Sequence, residues 1–333
     1  MNKIRIGVLC PSEIAFRRFM PALKKLDCFE YIGLAAATER EFSGIDSDKV
    51  RPSELEKAET FISAHGGKIF EGYEALVCSD EIDAIYLPLP PALHYKWGKK
   101  VLENGKHLLM EKPFTTSLKE TEELLSLAEQ KGLAVHENYM FLYHNQLATI
   151  KELIAGGMLG DLRLIRAAFG FPKRGTNDFR YQKAMGGGAL LDCGGYPVRL
   201  ALEFLGKSVQ VTQSRLIQPE GYEVDLYGNA VLENENRICA QVSFGMDNAY
   251  QCQLEVWGNR ATLIASRIFT AGADVFPSLV LRFSGDKKTL SLPLDDQFQH
   301  SIEQFFQEVK DTEERKKMRT EIYRQAKVIE EMK

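Results

Sequence analysis

Three stretches place side chains able to move a proton at corners of this sequence rather than inside its apolar runs. Lys112 sits near the end of KHLLMEKP (106–113), where a buried strand would stop and a lysine would project its ammonium into a cleft. Open α/β sheets bind ligands at that end of their strands. A solvated lysine at a strand end is the commoner case, so Lys112 alone decides nothing. Asp192 and Tyr196 lie four apart in GGGALLDCGGYP (186–197), and a helix would carry both on one face. The three glycines ahead of them let the backbone approach a ligand closely. The plainer account is a capped helix with a buried tyrosine. His94, in LPLPPALHYKW (87–97), is a lone histidine after a Pro-rich turn, and a structural role is its default.

A fourth feature is made of backbone. GVLCPSEIA (7–15) lies between the apolar run KIRI and FRRFMPAL. At a strand-to-helix corner the free N–H groups of the first helical turn, with the positive end of the helix dipole, can hold a pyrophosphate. The glycines usual there serve the tight bend, the approach to the pyrophosphate and helix–strand packing. Here Cys10, Ser12 and Ala15 take those places, and all three are small. Pro11 pre-sets the turn and Ser12 can donate a hydroxyl. A corner with no ligand fits this stretch equally well.

The elements that must position these groups alternate between period two and helical period. Strands are expected at KIRIGVLC, YIGLAAAT, KIF, IDAIYLPLP, KHLLMEKP and LAVHENYM. Helices are expected at 13–25, within SELEKAETFISAHG, at ALHYKWGKKVLENG and at SLKETEELLSLAEQKG, with N-caps at Ser53 and Ser117 and stops at Gly105 and Gly132. Such alternation implies a doubly wound parallel sheet. The polar stretch 39–53 reads as a solvated loop. Beyond about residue 147 come a helix at 146–155, strand LRLIRAAFGF, a helix starting near Ala189, and seven strand-like runs from Val209 onward. Short turns at Gly258–Asn259 and Gly285–Asp286 make these strands mostly antiparallel. The resulting sheet has an open face that calls for cover, which points to a homo-oligomer. From Phe298 the chain is helical and amphipathic.

A length of 333 residues favours two domains, expected at 1–122 for dinucleotide binding and at 123–333 for substrate binding and oligomerisation. Hydrophobic content of 44%, charged content of 26% and a net charge of −4 describe an ordinary globular protein with no basic stripe for nucleic acid. There is no apolar stretch of membrane-spanning length and no signal peptide, so a cytoplasmic protein is expected. The six cysteines are scattered and the six histidines lack ligand spacing, so no metal site is expected.

Together these stretches resemble the Gfo/Idh/MocA oxidoreductase family over essentially the whole length. PLPPALH, GKHLLMEKP, HENYM and GGGALLDCGGY fall in the family's order and spacing, and the EKP with GGGxLxDxGxx(H/Y) pair is the specific part. The resemblance implies a Rossmann-type first domain and an α+β second domain with an open sheet. It also implies hydride transfer between a nicotinamide and a sugar or sugar-like ketone or alcohol. Lys112 corresponds to the active-site lysine, Tyr196 to the proton-transfer residue and Asp192 to a residue positioning substrate or lysine. On this reading the Lys112 ammonium stabilises the Tyr196 phenolate. The cofactor is expected on Gly7, Cys10, Pro11, Ser12, Glu13, Ile14, Thr38, Arg40, Leu87, Pro88, Leu89, His94, Glu111, Lys112 and Asn138. The substrate is expected on Phe171, Arg180 and Gly188. Many members carry His at the position of Tyr196 and Arg at that of Leu142. Tyr196, with ENYMFLYHNQ (137–146) and AFGFP (168–172), resembles the branch of glucose–fructose oxidoreductase, dihydrodiol dehydrogenase and the nucleotide-sugar 3-ketoreductases, the last most of all. Thr38, Glu39 and Arg40 point to both NAD and NADP, leaning to NADP. Arg174, Arg180 and Arg199 could meet substrate phosphates, although surface positions account for at least two of them. Dehydrogenation of free sugars or dihydrodiols would use the same Lys–Asp–Tyr set. A cofactor-binding sensor would have no use for that set.

Overall fold

The central strands of the first sheet are short and apolar on both faces. In β4 (Ala84–Leu87) every residue is buried, and in β5 (His107–Met110) three of the four are. This is the signature of parallel strands covered by helices on both sides. The computed structural model describes residues 3–39, 41, 47–175 and 178–333. Contacts divide the chain into two compact units, Met1–Asn138 with Ser301–Tyr323 and Tyr139–His300 with Arg324–Lys333. The boundary expected after residue 122 falls inside helix α5 (Leu118–Lys131), which packs in the first unit.

In the first unit, β1 (Ile4–Leu9), β2 (Phe29–Ala36), β3 (Lys68–Glu71), β4, β5 and β6 (Val135–Glu137) form a parallel sheet in the order β3-β2-β1-β4-β5-β6. The order reverses between β1 and β4, which is where such sheets open a crevice at their carboxyl ends. A helical segment starting at Glu13 continues through a π turn into α1 (Met20–Leu23). It is followed by α2 (Ser47–His65), α3 (Tyr73–Val77), α4 (His94–Glu103) and α5. Ser117 caps α5 by accepting the Glu120 N–H at 3.3 Å, and Gly132 ends it at φ 66°. Ser53 is no cap. It lies within α2, which starts six residues earlier, inside the stretch read as a loop. The first turns of α2 have no apolar stripe, so no period announced them.

The second unit holds α6 (Asn145–Ala155), β7 (Leu162–Gly170), α7 (Gly195–Leu205) and the strands β8 (Val209–Ile217), β9 (Tyr227–Asn234), β10 (Cys239–Gly245), β11 (Gln251–Gly258), β12 (Thr262–Ser266), β13 (Ser278–Phe283) and β14 (Asp286–Ser291). The sheet order is β14-β13-β12-β11-β7-β10-β9-β8. All pairs are antiparallel except β7 with β10, which α7 and the β8–β9 hairpin separate in sequence. Ile165, Ala167, Val242, Phe244, Leu254 and Val256 are buried on one face. Arg166, Gln241, Ser243 and Gln253 lie exposed on the other. Helices α8 (Gln297–Lys310) and α9 (Thr312–Met332) contribute residues to both units. Among the described residues no helix is long and apolar enough to cross a membrane.

Candidate active site

At the first strand-to-helix corner the glycine places are filled as follows. Cys10 adopts φ 114°, a region that L-residues rarely enter, and so takes the backbone of the missing glycine. Its thiol lies 3.8 Å from the carbonyl oxygen of Pro88, and burial pushes its pKa up. Ser12 Oγ accepts the Ala15 N–H at 3.2 Å, so the hydroxyl expected to donate acts as an N-cap acceptor. The amides of Glu13 and Ile14 have no carbonyl one turn earlier to bond. The Glu13 side chain turns to solvent and pairs with Arg17 at 2.8 Å. Gly7 is a packing glycine: a Cβ there would meet Leu76 Cδ1 at 2.8 Å.

At the carboxyl ends of β4 and β5 a set of hydrogen bonds ties the loops together. His94 is fully buried, with Nε2 at 2.7 Å from the Leu89 carbonyl and Nδ1 at 2.8 Å from that of Pro113. Burial lowers its pKa to about 4, against the pull of the two carbonyls. The neutral ring has one N–H to donate to one of these two carbonyls, and His94 packs between the Leu87–Leu89 turn and the Glu111–Pro113 turn. Glu111 Oε1 accepts from the Tyr86 hydroxyl and from Asn138 Nδ2, both at 2.7 Å. Lys112 is half-buried between Glu111 and a cis bond to Pro113.

At the end of β2, Thr38 donates its N–H (2.8 Å) and its hydroxyl (2.5 Å) to Glu41 Oε2, and the Tyr73 N–H meets Glu41 Oε1 at 3.1 Å. Glu41 escaped sequence reading because it sat in the stretch taken for loop. Arg40 lies outside the described residues.

In the second unit the glycine-rich stretch starts a π turn (Leu190–Gly194) that runs into α7. Asp225 holds its beginning. Its Oδ2 accepts the Leu190 N–H at 2.8 Å, and its carbonyl accepts that of Ala189 at 2.8 Å. Burial raises the Asp225 pKa while the Leu190 N–H opposes the rise. Gly188 adopts φ 115°, and a Cβ on it would lie 2.5 Å from Asp225 Oδ1. Gly188 therefore packs directly against Asp225. Arg180 joins Asp192: Nε donates to Asp192 Oδ2 at 2.8 Å and Nη1 to Asp178 Oδ1 at 3.1 Å. Burial works against the guanidinium charge, and the carboxylates of Asp192 and Asp178 outweigh it. Arg180 therefore aims Asp192. Arg199 is buried beside Glu203 at 3.0 Å and is not a surface residue. Arg174 stacks on Phe171 with 5.2 Å to the ring centre.

Tyr196 is 7% exposed, its ring enclosed by Tyr139, Phe141, Phe169 and Phe269 with centroids 4.9–5.9 Å away. Tyr139 and Phe141 lie in ENYMFLYHNQ and Phe169 in AFGFP, while Phe269 lies in no stretch that the sequence sets apart. Period-two burial in β7 was the signal for Phe169.

Residues 32–139 match the oxidoreductase family described as NAD-binding Rossmann fold, and residues 147–264 match the GFO/IDH/MocA C-terminal domain. The dTDP-3,4-didehydro-2,6-dideoxy-alpha-D-glucose 3-reductase of Actinomadura kijaniata is 35% identical over 99% of this chain and 94% of that protein. Its counterpart in Saccharopolyspora spinosa is 34% identical over 92% and 88%. Among solved structures, KijD10, a 3-ketoreductase from Actinomadura kijaniata in complex with NADP and TDP-benzene, superposes with a TM-score of 0.90. It is 35% identical and covers 98% of this chain and 96% of that one. The chain belongs to the Gfo/Idh/MocA oxidoreductase family.

This Gfo/Idh/MocA protein is thus an oxidoreductase with a nicotinamide-nucleotide-binding first domain. Its corner of small residues suits a pyrophosphate: Cys10 supplies the glycine-like backbone, Ser12 caps the helix, and the amides of Glu13 and Ile14 remain for an anion.

Proposed function

We propose that the protein uses NADPH to reduce the 3-keto group of a nucleotide-linked deoxy-sugar. The full-length likeness to KijD10 and to two curated 3-reductases carries this reading. The amides of Glu13 and Ile14, with Cys10, Pro11 and Ser12, would hold the pyrophosphate, and the turn Leu87–Leu89 the remaining length of the cofactor. Bound NADPH supplies the hydride. Tyr196 gives its phenolic proton to the ketone oxygen as that oxygen becomes an alkoxide, and its four aromatic neighbours keep the phenol in place and dry. The Lys112 ammonium stabilises the charge growing on the same oxygen. Asp192, aimed by Arg180, orients the sugar. Phe171, with Arg174 stacked on it, offers an aromatic and cationic surface to the nucleotide. A second copy of this chain covers the open face of the eight-stranded sheet.

Consumption of NADPH with a TDP-linked 3-keto-deoxysugar is the test. Tyr196→Phe and Lys112→Ala should each lower kcat on the order of 10²-fold while the NADPH Kd, read by nicotinamide fluorescence, stays near wild type. Equal rates with the free sugar would remove the nucleotide from the reading, and an undiminished Tyr196→Phe would remove the tyrosine from its role.

A further inference from the structure

A chain of hydrogen bonds wholly inside the first unit runs from helix α8 to the turn that carries Lys112. His136 Nδ1 lies 3.0 Å and 3.1 Å from the two carboxyl oxygens of Glu308, and His136 Nε2 lies 3.0 Å from Ser301 Oγ. Ser301 Oγ is 2.8 Å from Asn138 Oδ1, and Asn138 Nδ2 is 2.7 Å from Glu111 Oε1. The side chains of His136, Ser301 and Glu308 have no exposure to solvent, and Asn138 has 2%.

The direction of every bond follows from one end. A carboxylate only accepts, so Asn138 must turn its NH2 toward Glu111 and its oxygen toward Ser301. That oxygen also only accepts, so Ser301 must spend its single proton on it. His136 Nε2 must then carry the proton it gives to Ser301. The remaining proton of the chain lies between His136 Nδ1 and Glu308, where burial raises the Glu308 pKa and His136 opposes the rise. No other arrangement of protons satisfies each buried group, and leaving one unsatisfied is costly. Simple packing does not require a directed series. An apolar contact between α8 and β6 would have served the fold without fixing an amide.

We infer that Ser301, His136 and Glu308 are positioning residues that lock the Asn138 amide, and through it the Glu111 carboxylate, next to Lys112. The inference rests on the proposed reductase reading. None of the three touches substrate. Their effect is to hold the turn after β5 in one arrangement while the ammonium meets a developing charge, a task that tolerates little looseness.

The test compares purified variants for kcat and KM on the TDP-linked keto-sugar, NADPH Kd and melting temperature. Ser301→Ala is expected to lower kcat about tenfold with NADPH Kd within about twofold of wild type, the scale of one misoriented group. Ser301→Thr, which restores the hydroxyl, should recover most of that loss. Ile302→Val loosens the same helix without touching the chain of bonds, and should lower the melting temperature while kcat holds. If Ser301→Ala fails to fold, Glu308→Gln replaces it. An amide N–H given to Nδ1 keeps the proton on Nε2, so this variant should retain kcat where Glu308→Leu loses it. Wild-type kcat in Ser301→Ala, equal kcat in Glu308→Gln and Glu308→Leu, or a kcat loss in Ile302→Val matching that of Ser301→Ala would overturn the inference. A fully active Lys112→Ala would instead overturn the reductase reading itself.

Discussion

Glu41, at the end of β2, works against the NADPH preference proposed above. Three donors, the N–H and hydroxyl of Thr38 and the N–H of Tyr73, converge on its carboxylate at the end of β2. In folds of this order the adenosine ribose is read there, with an acid favouring a 2′-hydroxyl and a basic residue favouring a 2′-phosphate. A carboxylate seated on those donors both repels a phosphate and denies it their hydrogen bonds. Across a few ångströms of partly solvated protein that opposition is worth about 1 kcal/mol, several-fold in affinity. Glu41→Ala should therefore tighten NADPH relative to NADH by about five- to tenfold in fluorescence titrations. An unchanged ratio would show that Glu41 only closes the β2–α3 corner.

At the scale of elements, the glycine-rich stretch and the helix after it depend on a residue far along the chain. Asp225 caps the π turn before α7, and the space that a Cβ on Gly188 would need is filled by the same carboxylate. Asp225→Ala should cost about 1–2 kcal/mol of unfolding free energy, as lost caps do. Gly188→Ala should cost about 1–3 kcal/mol through its positive φ and the 2.5 Å approach to Asp225 Oδ1. Because the close approach vanishes with the carboxylate, the double variant should be less destabilised than the sum in denaturant titration. Strict additivity would mean that backbone strain alone decides the glycine. The glycine-rich stretch leading into a helix was legible in the sequence because it is local, as were the alternating strands and helices of the first unit. Asp225, Glu41 and the rings around Tyr196 were not, because each acts through a partner that only the fold brings near. The parallel pairing of β7 with β10 was hidden for the same reason: short turns announce antiparallel neighbours, and nothing announces a crossover. The acid partners of Arg180 and Arg199 were hidden in the same way, since an arginine paired with a carboxylate looks in sequence like any other arginine.

For the whole molecule the question is whether the eight-stranded sheet meets a second copy, as proposed above. Its two edges are guarded against further pairing. Edge strand β14 carries Lys287 and Lys288, both exposed, and edge strand β8 has a register break between Val211 and Gln213. Growth by strand addition is therefore disfavoured, and the open face is left as the surface through which the sheet can be covered. That face is mixed in chemistry. Arg166 pairs with Glu255 at 3.4 Å and lies over the Trp257 ring at 5.7 Å, and Gln241, Ser243 and Gln253 stand around them. An exposed tryptophan with an arginine over it is the type of anchor that dominates interface energies, and the amides and hydroxyl supply donors and acceptors for a matching copy. Light scattering after gel filtration at micromolar concentration should give the mass of two or more chains. Trp257→Asp, which places a charge on the face while leaving the buried side of β11 intact, should shift the mass to that of one chain with the melting transition of the monomer still cooperative. A wild-type monomer under those conditions would mean that the open face serves something other than a second copy.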